Sequence, residues 1–210
     1  RDSSTSRGLG DVYKRQDEGY VKKVQGKGTF ITYKKEKMYL NKPRGFKETL
    51  SSKGHSSKND IIQASFLNAD GDISEKLSIP LNTKVVYLER LVWEDNEPMA
   101  IDKIYIEDEK FPGFITKLSK DRSFYTILEK DYNIQPKHAV LEIDGIIAQN
   151  QHADLLKCNI GDPLFSINKI SYDFEDKPIH YSSTIVRCDR ATYVVHTDNS
   201  NMMNTKTKSK

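Results

Sequence analysis

The stretch that most constrains this chain is written twice. Val86–Tyr105 (VYLERLVWEDNEPMAIDKIY) is apolar through Val86, Leu88 and Leu91-Val92-Trp93. It breaks at Glu94-Asp95-Asn96-Glu97 and resumes after Pro98 with Met99, Ile101 and Ile104. Two apolar runs around a short polar turn predict a β-hairpin. Pro163–Ser183 repeats the pattern around the turn Asp173–Lys177. Shifted by 79 residues, Lys169 falls on Arg90 and Tyr172 on Trp93; one extra turn residue then sets Pro178 on Pro98 and His180 on Ala100. The lead-in segments match too, Glu75-Lys76-Leu77 against Asp154-Leu155-Leu156. Two copies predict a pseudo-symmetric α+β core of two helix–hairpin units rather than a solenoid.

Arg90 precedes the first turn and Asp102 follows it, both on largely apolar strands. An ionic group there must be paired, solvated or used on a ligand. The Arg90 guanidinium is a planar fork of donors suited to phosphate or carboxylate. It can equally pair with Asp102 or Glu142 across the sheet. Asp102 can accept from a ligand hydroxyl or orient Arg90. Ser123 opens the helical segment SFYTILEKD, and a helix N-terminus attracts anions; the plainer role of Ser123 is an N-cap, and that of Tyr125 is cover for the sheet. His180 is either a ligand contact or a satisfied structural histidine. Lys47 adds to an anion site or is simply solvated. Arg187 and Arg190 have an Asp189–Arg190 pair as their structural reading.

The remaining elements follow from periodicity and caps. Residues 44–54 read as a short helix with Gly54 as its C-cap. Ile61–Leu67 reads as a strand, and Ile73–Ile79 as a helix with Asp72 as N-cap and Glu75 at the capping-box position. Lys137–Ala148 is a long strand, Gln151–Lys157 the second lead-in helix, and Tyr193–His196 a last strand. With 210 residues and 36% apolar content, one domain with an appendage is expected. The net charge of +3 is too small to diagnose a polyanion partner. The basic residues, however, crowd the first 58 positions, which reads as a basic arm or a solvated linker. Cys158 and Cys188 lack metal-ligand spacing, and no stretch has transmembrane or signal-peptide character, so a reduced, cytoplasmic protein without membrane contact is expected. Metal-spaced His/Cys sets, nucleophile elbows and nucleotide loops are not found, so neither cofactor, metal nor catalytic residue is expected.

Asp17–Tyr33 (DEGYVKKVQGKGTFITY) reads as strand, glycine turn and strand, with Lys27 at the tip between Gly26 and Gly28. Such a basic ribbon can lie along DNA, with Lys22 and Lys23 on its first strand. The run EGYVKKVQGKGTFI resembles the wing of the winged helix-turn-helix in GntR-type transcription regulators. Residues 1–16 resemble no part of that module and are expected to be disordered and foreign to it. Residues 34–44 then form a linker, 45–198 a sensor domain, and 199–210 a disordered tail.

The pieces GFKETLSSKG, LERLVWEDNEPMAIDKIYI, FPGF, SFYTILEKDYNI, ADLLKCNIGDPLFSINKISYDFEDKPIHYSSTIVRCDR and TYVVH together resemble the UTRA effector-binding domain of the HutC subfamily of these regulators. That resemblance implies a chorismate-lyase-like α+β fold, a homodimer, and a pocket for a small anionic effector such as a sugar phosphate. It also implies a repressor acting on double-stranded operator DNA through a complete winged-helix domain. In sugar-phosphate-responsive members an arginine matching Arg90 holds the anion, and a second arginine stands where this chain has Val92. Asp102 and His180 fall where relatives commonly have glutamates. Ser123 and Tyr125 match a motif that meets phosphate. The rival expectations are an enzyme of lyase-like fold acting on a small acid, and a stand-alone binding module.

Overall fold

Both predicted hairpins form. A computed structural model describes residues 21–24, 28–31, 35–40, 57–94, 96–119 and 122–197. Three short strands come first: β1 (Val21–Val24), β2 (Gly28–Ile31) and β3 (Glu36–Tyr39). β1 and β2 make the antiparallel ribbon expected of the wing, Val24 pairing with Gly28. Gly26 and Lys27 lie outside the described residues, as do the proposed helix at 44–54 and Lys47. Lys22, Lys23 and Gly28 are placed by their backbone alone.

The main sheet then assembles from two equivalent halves. The first is β4 (Ser57–Asn68), α1 (Gly71–Leu77), β5 (Lys84–Glu94) and β6 (Glu97–Glu107). The second is β7 (His138–Ile147), α4 (Asn150–Leu156), β8 (Pro163–Tyr172) and β9 (Pro178–Arg187). Between them come α2 (Phe114–Lys117) and α3 (Phe124–Tyr132). The six strands are antiparallel in the order β4-β5-β6-β9-β8-β7, a palindrome in which the halves meet at β6 and β9. The repeating unit is therefore strand–helix–hairpin, one strand longer than the sequence repeat shows. Lys103 and Ser183, equivalent positions in the repeat, pair directly and mark the pseudo-twofold axis.

The turns obey local chemistry. Only two residues separate β5 from β6, and Asn96 takes φ 67°, a left-handed conformation that asparagine tolerates. Pro98 is accommodated by a bulge opposite Val92–Trp93, and Pro178 by the equivalent bulge at Ser171–Tyr172.

Strand alternation divides the side chains between two faces. One face packs on α1 and α4, and the helices cross over. Ile73 and Leu77 of α1 pack with Val85 and with Tyr181 of β9, while Leu156 of α4 packs with Leu91 and Ile101 of the first hairpin. The other face carries Val86, Leu88, Ile104 and Ile106 beneath Phe111, Phe114, Phe124, Ile127 and Leu128 of the α2–α3 segment. At its far end a second cluster joins Val92, Ala100, Ile167 and Val186 to Met38 and Ala191. These last two belong to β3 and to β10 (Ala191–Val194), which pair in parallel. Part of the expected linker is thus a strand packed against the main sheet. The final strand begins at Ala191, two residues before its expected start.

The first helix starts earlier than expected. Asp70, not Asp72, is its N-cap, and its carboxylate accepts from the Ile73 amide at 2.9 Å. Moving the cap to Asp70 also removes Glu75 from the capping-box position. Asp70→Ala is expected to lower stability by about 1 kcal/mol and Asp72→Ala by less than half of that. Urea unfolding of both variants checks this; equal losses would return the cap to Asp72.

Candidate functional site

The face under α3 carries polar groups where alternation alone would place apolar ones. Register puts Arg90, Asp102 and Thr184 side by side across β5, β6 and β9. One row further along, Ser182 pairs with Lys169, and in the next row His180 pairs with Ser171. The result is a diagonal polar track through the middle of the sheet. The Met38 cluster borders it on one side and the α3 cluster on the other. Arg90, Asp102, Ser171, His180, Ser182 and Thr184 are all buried along it.

Of the two partners open to Arg90, the structure selects Asp102. Arg90 Nη2 donates to Asp102 Oδ2 in a short contact, and Thr184 Oγ1 donates to Asp102 Oδ1 at 2.9 Å. Glu142 is instead exposed, 4.0 Å from Lys76. A buried pair tolerates its desolvation because both charges keep partners. Arg90 Nε, sealed from solvent, has no acceptor.

Tyr125 is the hub at the other end. Its hydroxyl accepts from Lys169 Nζ at 3.0 Å and lies 3.3 Å from His180 Nε2 and 3.4 Å from Ser171 Oγ. The His180 ring also meets Phe124 edge-on, with centroids 4.9 Å apart. Burial, with Lys169 and Arg90 beside it, holds the imidazole well below the usual 6.5, so it is neutral at pH 7. Its Nδ1 is sealed and unbonded.

Ser123 is the N-cap of α3: its Oγ accepts from the Thr126 amide at 3.0 Å and lies 2.8 Å from Thr126 Oγ1. Arg90 and Asp102 are therefore brought together, as are Tyr125 and His180, while Ser123 joins neither group by a direct contact. Arg187 and Arg190 stand apart. Arg187 binds Asp189 through Nε at 3.0 Å and Nη2 at 2.7 Å, and donates to the Leu156 carbonyl at 3.1 Å. Arg190 lies 3.4 Å from Glu97, so the expected Asp189–Arg190 pair is replaced by Asp189–Arg187. Burial pushes the Asp189 carboxyl up, but the Arg187 fork outweighs it and leaves the carboxyl below its ordinary value.

Sequence reasoning missed Thr184, Ser171 and Ser182 as members of the polar track. Lys169 was visible only as the repeat partner of Arg90. The structure also has a cleft of about 340 Å³ on the α1 side, lined by Asp70, Asp72, Lys103, Tyr105 and Tyr181. A second, of about 650 Å³, lies beside Ile147, His152 and Cys188. None of the expected site residues lines either cleft.

The buried histidine sets a pH dependence. Its folded value lies below its unfolded value, so between the two the unfolded chain binds more protons and stability falls as pH falls. From pH 6.5 to 5.5 the wild type is expected to lose up to about 1 kcal/mol more than His180→Asn. Urea midpoints at the two pH values measure it; identical slopes would show that His180 titrates normally.

A family model described as the UTRA domain matches residues 52–192. The chain is 33% identical over 178 residues to the probable fructoselysine utilization operon transcriptional repressor of Escherichia coli K12, covering 85% of this chain and 73% of that protein. It is 31% identical over 180 residues to the uncharacterized HTH-type transcriptional regulator YurK of Bacillus subtilis, covering 86% and 74%. Among solved structures, the C-terminal domain of YurK superposes with a TM-score of 0.65 at 25% identity, covering 78% of this chain and 100% of that one. PhnF of Mycobacterium smegmatis superposes with a TM-score of 0.78 at 22% identity, covering 92% and 85%, and shows the shared α+β fold. No helix among the described residues is long and apolar enough to cross a membrane. The chain belongs to the UTRA-domain family of GntR-type transcription regulators.

Proposed function

We propose that this chain is the sensor part of a DNA-binding repressor, and that a small anionic metabolite such as a sugar phosphate binds along the buried polar track. The observation that carries the reading is Arg90. It is a buried guanidinium on β5, held by Asp102 and keeping one donor without an acceptor. Anion recognition by Arg90, oriented by Asp102, with His180 and Tyr125 at the start of α3 toward the other end of the track, uses the groups present. The name of the E. coli relative, which refers to fructoselysine utilization, supports a sugar-derived effector.

In this reading residues 17–33 are the wing and 45–198 the sensor, and a homodimer presents paired heads to double-stranded operator DNA. The linker 34–44 carries the signal through β3. Val92, Ala100 and Val186 are the same-face neighbours, two residues along, of Arg90, Asp102 and Thr184, and all three pack with Met38 of β3. A ligand that shifts the polar row shifts that apolar row, and with it the strand leading to the wing. Paired heads must match half-site spacing, so a small displacement of β3 is enough to change operator affinity.

A thermal-shift panel of phosphosugars tests the site. A ligand at 100-fold excess over its Kd contributes about 2.7 kcal/mol, a rise of roughly 5–10 °C at this size. Arg90→Ala is expected to abolish the rise, and a phosphosugar stabilising both proteins equally would overturn the assignment. The coupling is tested in the protein with its complete winged-helix domain. Met38→Ala is expected to bind the phosphosugar within about threefold of wild type but to lose its effect on operator affinity, read by fluorescence anisotropy. Unchanged release from operator would remove β3 from the route.

A further inference from the structure

The two unbonded nitrogens of the site are both donors. Arg90 Nε is an N–H, a donor without acceptor capacity. For His180 the tautomer follows from its neighbours. Tyr125 already accepts from the Lys169 ammonium, so the tyrosine's own proton is available to His180 Nε2 at 3.3 Å. A lone pair at Nε2 also suits the adjacent cation better than an N–H does. Since the imidazole is neutral, its single proton then sits on Nδ1, which is buried and has no acceptor. The residues bearing these atoms are 7% and 1% exposed, so water does not relieve them.

The carboxylate of the track is already matched. Both Asp102 oxygens take bonds, one from Arg90 and one from Thr184. Arg90 stands on β5 and His180 on β9, one on each side of β6, two rows apart along the strands. Lys169 reaches Tyr125, which also contacts His180, so its positive charge stands beside the histidine. A ligand lying along the track meets donors and positive charge at both ends. A hydroxyl or carboxylate relieves both donors; a protonated amine meets donor against donor and cation against cation.

We propose that the effector bears two separated acceptor heads, a phosphate and a carboxylate as in a phosphorylated sugar acid, and that His180 sets this choice against phosphorylated amino sugars. The proposal deepens the sensor reading and rests on it.

The full chain is titrated in thermal shift and calorimetry with 6-phosphogluconate, glucosamine 6-phosphate and inorganic phosphate. Wild type is expected to bind 6-phosphogluconate at least roughly tenfold more tightly than the amino sugar, the size of one charge-assisted hydrogen bond. His180→Glu places a carboxylate at that end and is expected to reverse the preference. His180→Asn keeps an N–H close to the Nδ1 position and is expected to retain it, so this variant decides the matter where His180→Glu does not fold. Equal or tighter binding of glucosamine 6-phosphate by wild type overturns the proposal while leaving an anion sensor in place. An unchanged preference in His180→Glu, or a lost one in His180→Asn, overturns it as well. If none of the three probes binds, the sensor reading falls and takes this inference with it.

Discussion

The pairing of β6 with β9 is the contact on which the rest depends. Each half alone is a three-stranded sheet with one helix and two open edges. Joined through Lys103 and Ser183, the halves form one six-stranded surface wide enough to carry a core on both faces. The crossed helices make the join hard to undo locally. α1 rests on Tyr181 from the opposite half, and α4 on Leu91 and Ile101. Separating the halves would expose the inner sides of both helices, so sheet and helices stand or fall as a unit.

On the other face the symmetry is broken, and that is where the chemistry lies. The α2–α3 segment follows the first hairpin; the second is followed instead by β10, which takes up β3. Equivalent sheet positions therefore meet different surroundings. Arg90 opposite Asp102 corresponds, under the repeat, to Lys169 opposite Ser182. The first pair is ionic and internally matched. In the second a cation lies across from a hydroxyl and reaches up to Tyr125 on α3. A duplicated scaffold thus supports one asymmetric polar track rather than two copies of a site.

Much of this could be read from residues, and what could not has physical causes. The hairpins were legible because apolar alternation and Asn96 or Asp173–Lys177 turns are local signals. Helix α3 was legible because Ser123, Phe124, Ile127 and Leu128 state its cap and its inner face. Asp70 lost to Asp72 as the expected cap because two acids two residues apart satisfy the same local rule, and only the backbone decides between them. β3 read as connector because KKEKMYLNKP has one alternation of Met38 and Tyr39 amid charge; its order comes from β10, far along the chain. The Arg90–Asp102 pair was among the stated alternatives. Thr184 was not, because a threonine on a strand has no signal until register places it against a carboxylate.

The position of the track explains why an ionic pair is kept where two aliphatic side chains would pack more stably. It lies between two apolar clusters. One is closed by α3 and the other by β3, the strand that follows the β1–β2 ribbon in the chain. A wholly apolar row would fuse the clusters into one rigid core, indifferent to any solute. A polar track with two unmet donors leaves the sheet incompletely satisfied there and, in the proposed reading, makes its packing dependent on a ligand. In the proposed sensor, meeting the donors at Arg90 Nε and His180 Nδ1 is the source of the differential binding energy that ligand recognition requires.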